Sequence, residues 1–304
     1  MVVFTGPVGR SGFLPLLEGS FPCGEKPGEK ISGFLPEFNR MYWGVLPLKR
    51  AVISDIHGNH AAFEAVMADI EEQGCEDIYC LGDIIGYGPD PRECILMAGK
   101  CGLNLMGNHE EAVLFGPIGF NPKAKAAIDW TKEQLSLADC PEEENREMWN
   151  FIGGLAKQHK EGEILYVHGS PRDPTREYVF KQDIRDRSKM DEIFDSPPDL
   201  SWKVCFAGHT HHPGVFAQSV PYLFLDPAQI DNRYEYSTRP ERIMVNVGSV
   251  GQPRDGDSRA SYVIIDGEAI YFRRIEYDLE RTLKRFEENP GLPEYLAERL
   301  KEGK

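Results

Sequence analysis

Ala51-Val52-Ile53-Ser54-Asp55-Ile56-His57-Gly58-Asn59 is an apolar, β-branched run that ends abruptly in an acid, a histidine and a glycine. The pattern predicts a buried strand whose carboxyl end delivers Asp55 and His57 to the same side, two residues apart. Open α/β sheets hold their ligands in the crevice beyond the strand ends, so chemistry is expected there. One Asp-x-His tripeptide arises by chance in many chains. Here the same strand-then-ligand pattern recurs four more times.

Downstream, Phe63, Val66, Met67 and Ile70 form a helical stripe that stops at Gly74. Asp77–Leu81 predicts a second strand, ending in Gly82-Asp83, and Pro91 behind Asp90 opens a helix that ends near Gly99. A third strand, Gly102–Met106, leads into Gly107-Asn108-His109-Glu110. This β-α-β-α-β series argues for a parallel sheet with right-handed crossovers. Residues 110–163 are expected to be mainly helical, with stripes such as Ala127, Trp130 and Leu135. Ile164–Val167 ends in His168-Gly169, and Val204–Ala207 ends in Gly208-His209-Thr210-His211. The last third is β-rich, at Tyr222–Leu225, Ile243–Val247, Tyr262–Ile265 and Ile270–Arg274, with Gly267 as a hairpin signal.

Three segments are expected: a poorly ordered Gly/Pro-rich leader over 1–47, a catalytic-type domain over 48–277, and a helical tail over 278–304. Met41 is an alternative start, and the leader is given no catalytic role. At 304 residues the chain can bury one large core. No apolar run approaches the roughly 18 residues of a membrane helix, and Gly6, Pro7, Gly9, Arg10 and Gly12 interrupt any secretory apolar core. Seven cysteines without a C-x-x-C spacing point to reduced thiols and a cytoplasmic protein. A net charge of −15, which two divalent cations would leave strongly negative, disfavours long nucleic acids as partners.

Collected together, the groups at the strand ends are Asp55, His57, Asp83, Asn108, His109, His168, His209 and His211. A single histidine is usually a surface or satisfied core residue, as His60, His159 and His212 are taken to be. Five of the eight histidines at strand ends do not fit that reading. Imidazole with carboxylate suits manganese, iron, cobalt, nickel or zinc rather than calcium or magnesium alone. A shared carboxylate can bridge two ions about 3.5–4 Å apart for in-line attack on phosphorus. A neutral amide limits negative charge, so an anionic phosphoester is still attracted.

In order and spacing, Asp55-x-His57, Gly82-Asp83, Gly107-Asn108-His109-Glu110, His168 and Gly208-His209-Thr210-His211 resemble the calcineurin-like metallophosphoesterases, over residues 49 to about 277. The resemblance implies an α/β protein, a four-layer α/β/β/α sandwich. It also implies two divalent ions, manganese first, with iron, zinc, nickel or cobalt as alternatives, and a metal-activated water. Asp55, His57 and His211 would hold one ion, Asn108, His168 and His209 the other, and Asp83 would bridge them. His109 would stand outside the metal shell as proton donor to the leaving oxygen.

Compared with the protein Ser/Thr phosphatases of that superfamily, Gly86, Tyr87, Glu111 and Ala112 replace the phosphate-clamping arginines and the acid that orients the catalytic histidine. The chain looks more like the small bacterial and archaeal phosphoesterases. Its stretch Asn246–Gly256 resembles their loop after the last metal block, and is either a Gly-rich connection or a carrier of Arg254 toward substrate phosphate. Arg172, Asp173 and Tyr178 are further residues that would line the pocket. The implied function is hydrolysis of small phosphoric esters, as a phosphatase or phosphodiesterase. Substrate identity and oligomeric state stay open. The alternatives are a non-catalytic scaffold of the same fold, against which the presence of His109 argues, and a nuclease, against which the acidic surface argues.

Overall fold

Alternation along the strands sorts their side chains onto two faces, and each face enters a different core. In the computed structural model, which describes residues 49–304, strand β1 (Lys49–Ile53) sends Ala51 and Ile53 into a core with helices α1 (His60–Glu72) and α2 (Pro91–Ala98). Val52 points the other way and meets Tyr166, Phe206 and Val245, which come from a second sheet. The opposite face of that second sheet, with Leu165, Cys205 and Met244, packs on Met190, Ile193 and Phe194 of a helix over Arg187–Phe194. Helix, sheet, sheet and helix therefore stack as four layers, as expected. The leader expected over 1–47 lies outside the described residues.

The first sheet runs in the order β3 (Leu103–Asn104), β2 (Asp77–Cys80), β1, β11 (Ala260–Asp266), β12 (Ala269–Ile275), β9 (Arg233–Glu235). The second runs β4 (Gln158–Glu161), β5 (Ile164–Val167), β6 (Val204–Ala207), β10 (Ile243–Asn246), β7 (Gly214–Ala217), β8 (Leu223–Leu225). Pairing is parallel from β1 through β3 and from β5 through β6 to β10. The expected parallel sheet is thus one half of a mixed one, because β11 returns antiparallel beside β1, pairing Val52 with Val263.

Four strands depart from the sequence reading. Residues 110–163 hold α3 (Asn108–Phe115), α4 (Pro122–Gln134) and α5 (Glu142–Gly153), but they end in the strand β4. Gln158, His159, Lys160 and Glu161 carry no apolar alternation; an edge strand open to water needs none. The three-residue β9, with Tyr234 its one buried residue, and the four-residue β7 are too short to set a period. The third strand shrinks to two residues plus a bridge between Leu105 and Ala156.

After β12 the chain forms α7 (Leu279–Glu288) and α8 (Tyr295–Glu302), the helix over Arg187–Phe194 being α6. Phe286, Leu292, Leu296 and Leu300 bury against Ala127 and Trp130 of α4. Polar ties add to this. Thr282 Oγ1 donates to Asn59 Oδ1 at 2.9 Å, Arg285 Nε lies 2.7 Å from Asp90 Oδ1, and Gly256 N–H donates to the Gly303 carbonyl at 2.9 Å. Leu296 has no exposed surface. Leu296→Ala should cost about 2–4 kcal/mol through lost burial and the cavity left behind. Urea unfolding of both proteins checks this; an unchanged midpoint would mean that α8 does not share the cooperative unit.

Candidate metal centre

β1 stops at Ile53, so Asp55 and His57 do not share a strand face. They sit in the turn beyond it with positive φ, 57° and 48°. Asp83, His209 and His211 do the same at 52°, 66° and 61°, as does Tyr87 at 64°. Left-handed backbone costs an L-residue roughly 1–2 kcal/mol, and it persists only where the surroundings over-determine it. Here they do. Hydrogen bonding continues past the strand ends, with Asp55 N–H on the Gly82 carbonyl (3.0 Å), His57 N–H on Asp83 (2.8 Å) and Gly58 N–H on Ile84 (2.9 Å).

Glu110 closes this turn system. Its fully buried carboxylate accepts from the backbone N–H groups of Asp83 (2.9 Å), Ile84 (2.8 Å), Ile85 (3.1 Å) and Gly107 (2.8 Å). It thereby pins the turn after β2 to the first turn of α3, where Asn108 and His109 begin the helix. The Asn246–Gly256 loop clamps the neighbouring turn. Val250 and Gly251 N–H reach the Ser54 and Asp55 carbonyls (3.0 and 2.9 Å), and Ser249 Oγ donates to Asp55 O at 2.8 Å. Gly208 lies so close to Asp55 that a Cβ there would collide with Ser54 Oγ and Asp55 Oδ2.

These turns bring all seven candidate ligands together. His211 Nε2 is 3.0 Å from Asp55 Oδ1 and 3.2 Å from His57 Nε2. His168 Nε2 is 3.1 Å from both Asn108 Oδ1 and His209 Nδ1, and 3.3 Å from Asp83 Oδ2. Asp83 Oδ2 also lies 3.6 Å from His57 Nε2, so this one carboxylate touches both halves. Ligand atoms of Asp55, His57 and His211 all fall within 4.8 Å of one another, as do those of Asp83, His168 and His209. His57, Asp83 and His109 meet the same distance, placing His109 at the edge of the cluster.

The second ring nitrogens show where the protons are. His57 Nδ1 faces the Ile85 carbonyl (3.3 Å), His211 Nδ1 that of Gln252 (2.5 Å) and His209 Nε2 that of Arg176 (3.1 Å). A carbonyl only accepts, so these nitrogens carry the N–H, and in the neutral ring the other nitrogen is bare. The bare Nε2 atoms of His57 and His211 therefore face each other at 3.2 Å, beside a carboxylate. Asp55 Oδ1 is buried with no hydrogen-bond donor despite its nearness to His211. Converging lone pairs with no proton between them fit a cation, and nitrogen plus oxygen donors fit a first-row divalent metal.

Charge follows the same logic. Burial works against ionisation of Asp55 and Asp83, yet the histidines around them outweigh it and hold both below the usual carboxylate range. Burial drives His57 and His211 down, and His209 to about 3. His168 goes the other way: burial opposes its charge, but Asp83 and then Asp55 and Glu110 raise it to about 9. Without a metal, one proton on His168 does part of a cation's work.

His109 occupies a different setting. It is buried, its Nδ1 has no partner, and burial lowers it to about 4. No acid orients it; instead Tyr87, His57 and Phe120 pack edge-on at ring-centroid distances of 4.3, 4.7 and 5.2 Å. Arg254 lies 5.9 Å from the Tyr87 ring centroid, donates to Gln252 Oε1 at 2.9 Å, and leaves its Nε unpaired. Tyr178 stacks on His209 at 3.6 Å, whereas Arg172 turns away to Glu177 and Glu192, and Asp173 closes the turn with Ser170. Sequence reasoning missed the anchoring role of Glu110, whose only signal was its place three residues after Gly107, and gave no role to Phe120 or Arg176.

Two outcomes follow from this geometry. Glu110→Gln turns one acceptor into a donor facing buried N–H groups, and should lower stability by about 2–4 kcal/mol while weakening metal binding. Denaturant melts with metal analysis check it, and wild-type values for both would remove Glu110 from its anchoring role. The carboxylates around His168 keep it protonated through neutral pH in the metal-free protein, and a metal bound at its Nε2 would displace that proton. Apparent affinity should therefore rise roughly tenfold per pH unit for each proton released as pH climbs through that range. Metal titrations at three pH values between 6 and 8 test this, a flat profile being the contrary result.

Residues 48–269 match the calcineurin-like phosphoesterase superfamily domain. The chain is 35% identical over 261 residues to the protein MJ0912 of Methanocaldococcus jannaschii, covering 82% of this chain and 96% of that one. The crystal structure of a metallophosphoesterase from Sphaerobacter thermophilus superposes with a TM-score of 0.65 at 32% identity, covering 85% of this chain and 100% of that chain. The protein PH1004 of Pyrococcus horikoshii shares the fold at a TM-score of 0.61 and 20% identity, covering 84% and 98% of the two chains. With the strand-end turns, the buried histidine cluster and the sandwich in agreement, the chain belongs to the calcineurin-like phosphoesterase superfamily.

Proposed function

We propose that the protein hydrolyses small phosphoric esters, as a phosphatase or phosphodiesterase, with two divalent ions in this cluster. The observation that carries the reading is the convergence of the bare His57 and His211 nitrogens on each other and on the buried Asp55 carboxylate at 3.0–3.2 Å, an arrangement that suits a divalent cation. Asp55, His57 and His211 would hold one ion, Asn108, His168 and His209 the other, with Asp83 between them. When bound, the ions, manganese first among the candidates, supply an activated water and neutralise charge on the phosphoryl oxygens.

The chain's own groups do the rest. Asp83 sets the spacing of the two halves, because Glu110 fixes its backbone. His109 donates its proton to the leaving oxygen as the new oxygen–phosphorus bond forms and the ester bond breaks, so that ester plus water gives alcohol plus phosphate. Burial weakens the hold of the ring on that proton, so a proton gained alongside the anionic substrate passes readily to the leaving oxygen. Arg254 makes no ion pair with a described carboxylate, which leaves its guanidinium for a phosphate oxygen. Small substrates in a cytoplasmic setting fit best: the cluster opens on a cavity of about 280 Å³, and the net charge of −15 repels long polyanions.

Asp83→Asn should deplete both ions, whereas Asp55→Asn should deplete chiefly one. His109→Gln should keep both and lose about 10²–10⁴-fold in turnover of alkyl phosphates, and less with nitrophenyl phosphate, whose leaving group needs little protonation. Metal analysis and paired kinetics measure both. Equal loss on the two esters would count against His109 as donor, and a manganese-loaded wild type inert to every phosphoester would sink the proposal.

A further inference from the structure

Beside Asn108 and His209 the cluster opens into the 280 Å³ cavity, and the makeup of its walls is uneven. Tyr87, Phe120 and Tyr178 put three aromatic rings on it, and Ile118 forms part of the outer wall while remaining 73% exposed. The Glu111 carboxylate and the side-chain amide oxygen of Asn121 in the wall already have donors. Glu111 receives Lys157 Nζ (2.7 Å), Arg176 Nε (2.6 Å) and Thr175 Oγ1 (3.3 Å), and Asn121 Oδ1 receives the Ala124 N–H at 3.0 Å. A flat ring entering here would meet three others, a contact that a sugar without a base lacks.

From this we infer that the cavity is a leaving-group subsite for phosphoesters whose alcohol carries a planar ring, as a nucleoside does. The inference rests on reading the cluster as hydrolytic, since the ring is placed by the phosphate held next to it. Selection then comes from the walls rather than from the metals: two esters of the same primary alcohol are told apart by the ring that one of them carries. The wall between Gly116 and Phe120 includes two glycines with positive φ, 106° and 83° at Gly116 and Gly119, which shape the turn that presents Ile118 and Phe120.

The matched pair is adenosine 5′-monophosphate and ribose 5-phosphate, which share the leaving oxygen and differ in the base. With the manganese-loaded full chain, kcat/KM should favour the nucleotide about five- to hundredfold, the range expected for one base stacking on aromatic side chains, mainly through KM. Phe120→Ala and Tyr178→Ala should each shrink that ratio. A general loss of catalysis lowers both substrates alike and leaves the ratio standing, so the ratio isolates the subsite. A wild-type ratio near one, or a ratio untouched in both variants, overturns the inference. Should the wild type hydrolyse neither ester, the phosphomonoesterase half of the proposed function fails on its own. The subsite is then read from adenosine binding by calorimetry, where binding weakened by Phe120→Ala supports it and no binding at millimolar adenosine overturns it.

Discussion

Lone pairs that point at one another repel, and the centre of this protein is built from them. Imidazole nitrogens and carboxylate oxygens from four separate strand ends stand 3.0–3.6 Å apart in a buried site. Left to themselves such groups would turn away or take up protons. They do not turn away, because backbone hydrogen bonds fix the turns that carry them and the Glu110 carboxylate ties two of those turns together. Five ligand-bearing positions in left-handed backbone are the local cost of that rigidity. A site assembled this way is preorganised for cations and needs little rearrangement on loading.

The proton chemistry sits beside the cluster in contrasting surroundings. His168 is ringed by carboxylates and holds a proton firmly; His109 is ringed by Tyr87, Phe120 and His57 and holds one only weakly. Two histidines with the same intrinsic affinity are driven apart by their neighbours, which is how one fold assigns separate roles to like residues. The replacement of an orienting acid by aromatic packing leaves the His109 ring held by shape rather than by charge.

The last two helices belong to this arrangement although they lie beyond the matched family domain. Tyr87 borders the cavity on one side and, with His57 and Gln252, a narrow crevice against Phe286, Leu296 and Leu300 on the other. Apolar burial on α7 and α8 thus supports a wall of the site from behind. Changes in that packing would reach His109 through a single intervening ring.

The groups that cluster at the candidate metal centre were legible in the sequence because strand-end chemistry is local: an apolar run, then an acid, histidine or amide beside glycine, repeated five times. Most of the helices and most of the buried strands followed from their periodicity for the same reason, whereas α6 was not read. Edge strands such as Gln158–Glu161 escaped because water satisfies their outer faces and removes the apolar signal. What tertiary structure alone decided is how the pieces meet. Asp55 and His57 share a site not by alternation on a strand but through positive-φ turns whose hydrogen-bond partners lie in other segments. Glu110 beside His109 gave no sign of being the anchor, since its four donors come from two loops, one of them more than twenty residues away. The rings around His109 and the cavity are likewise contributed by distant segments, at Tyr87, Phe120 and Tyr178. Their contacts depend on the meeting of two sheets and are encoded in no single stretch of chain.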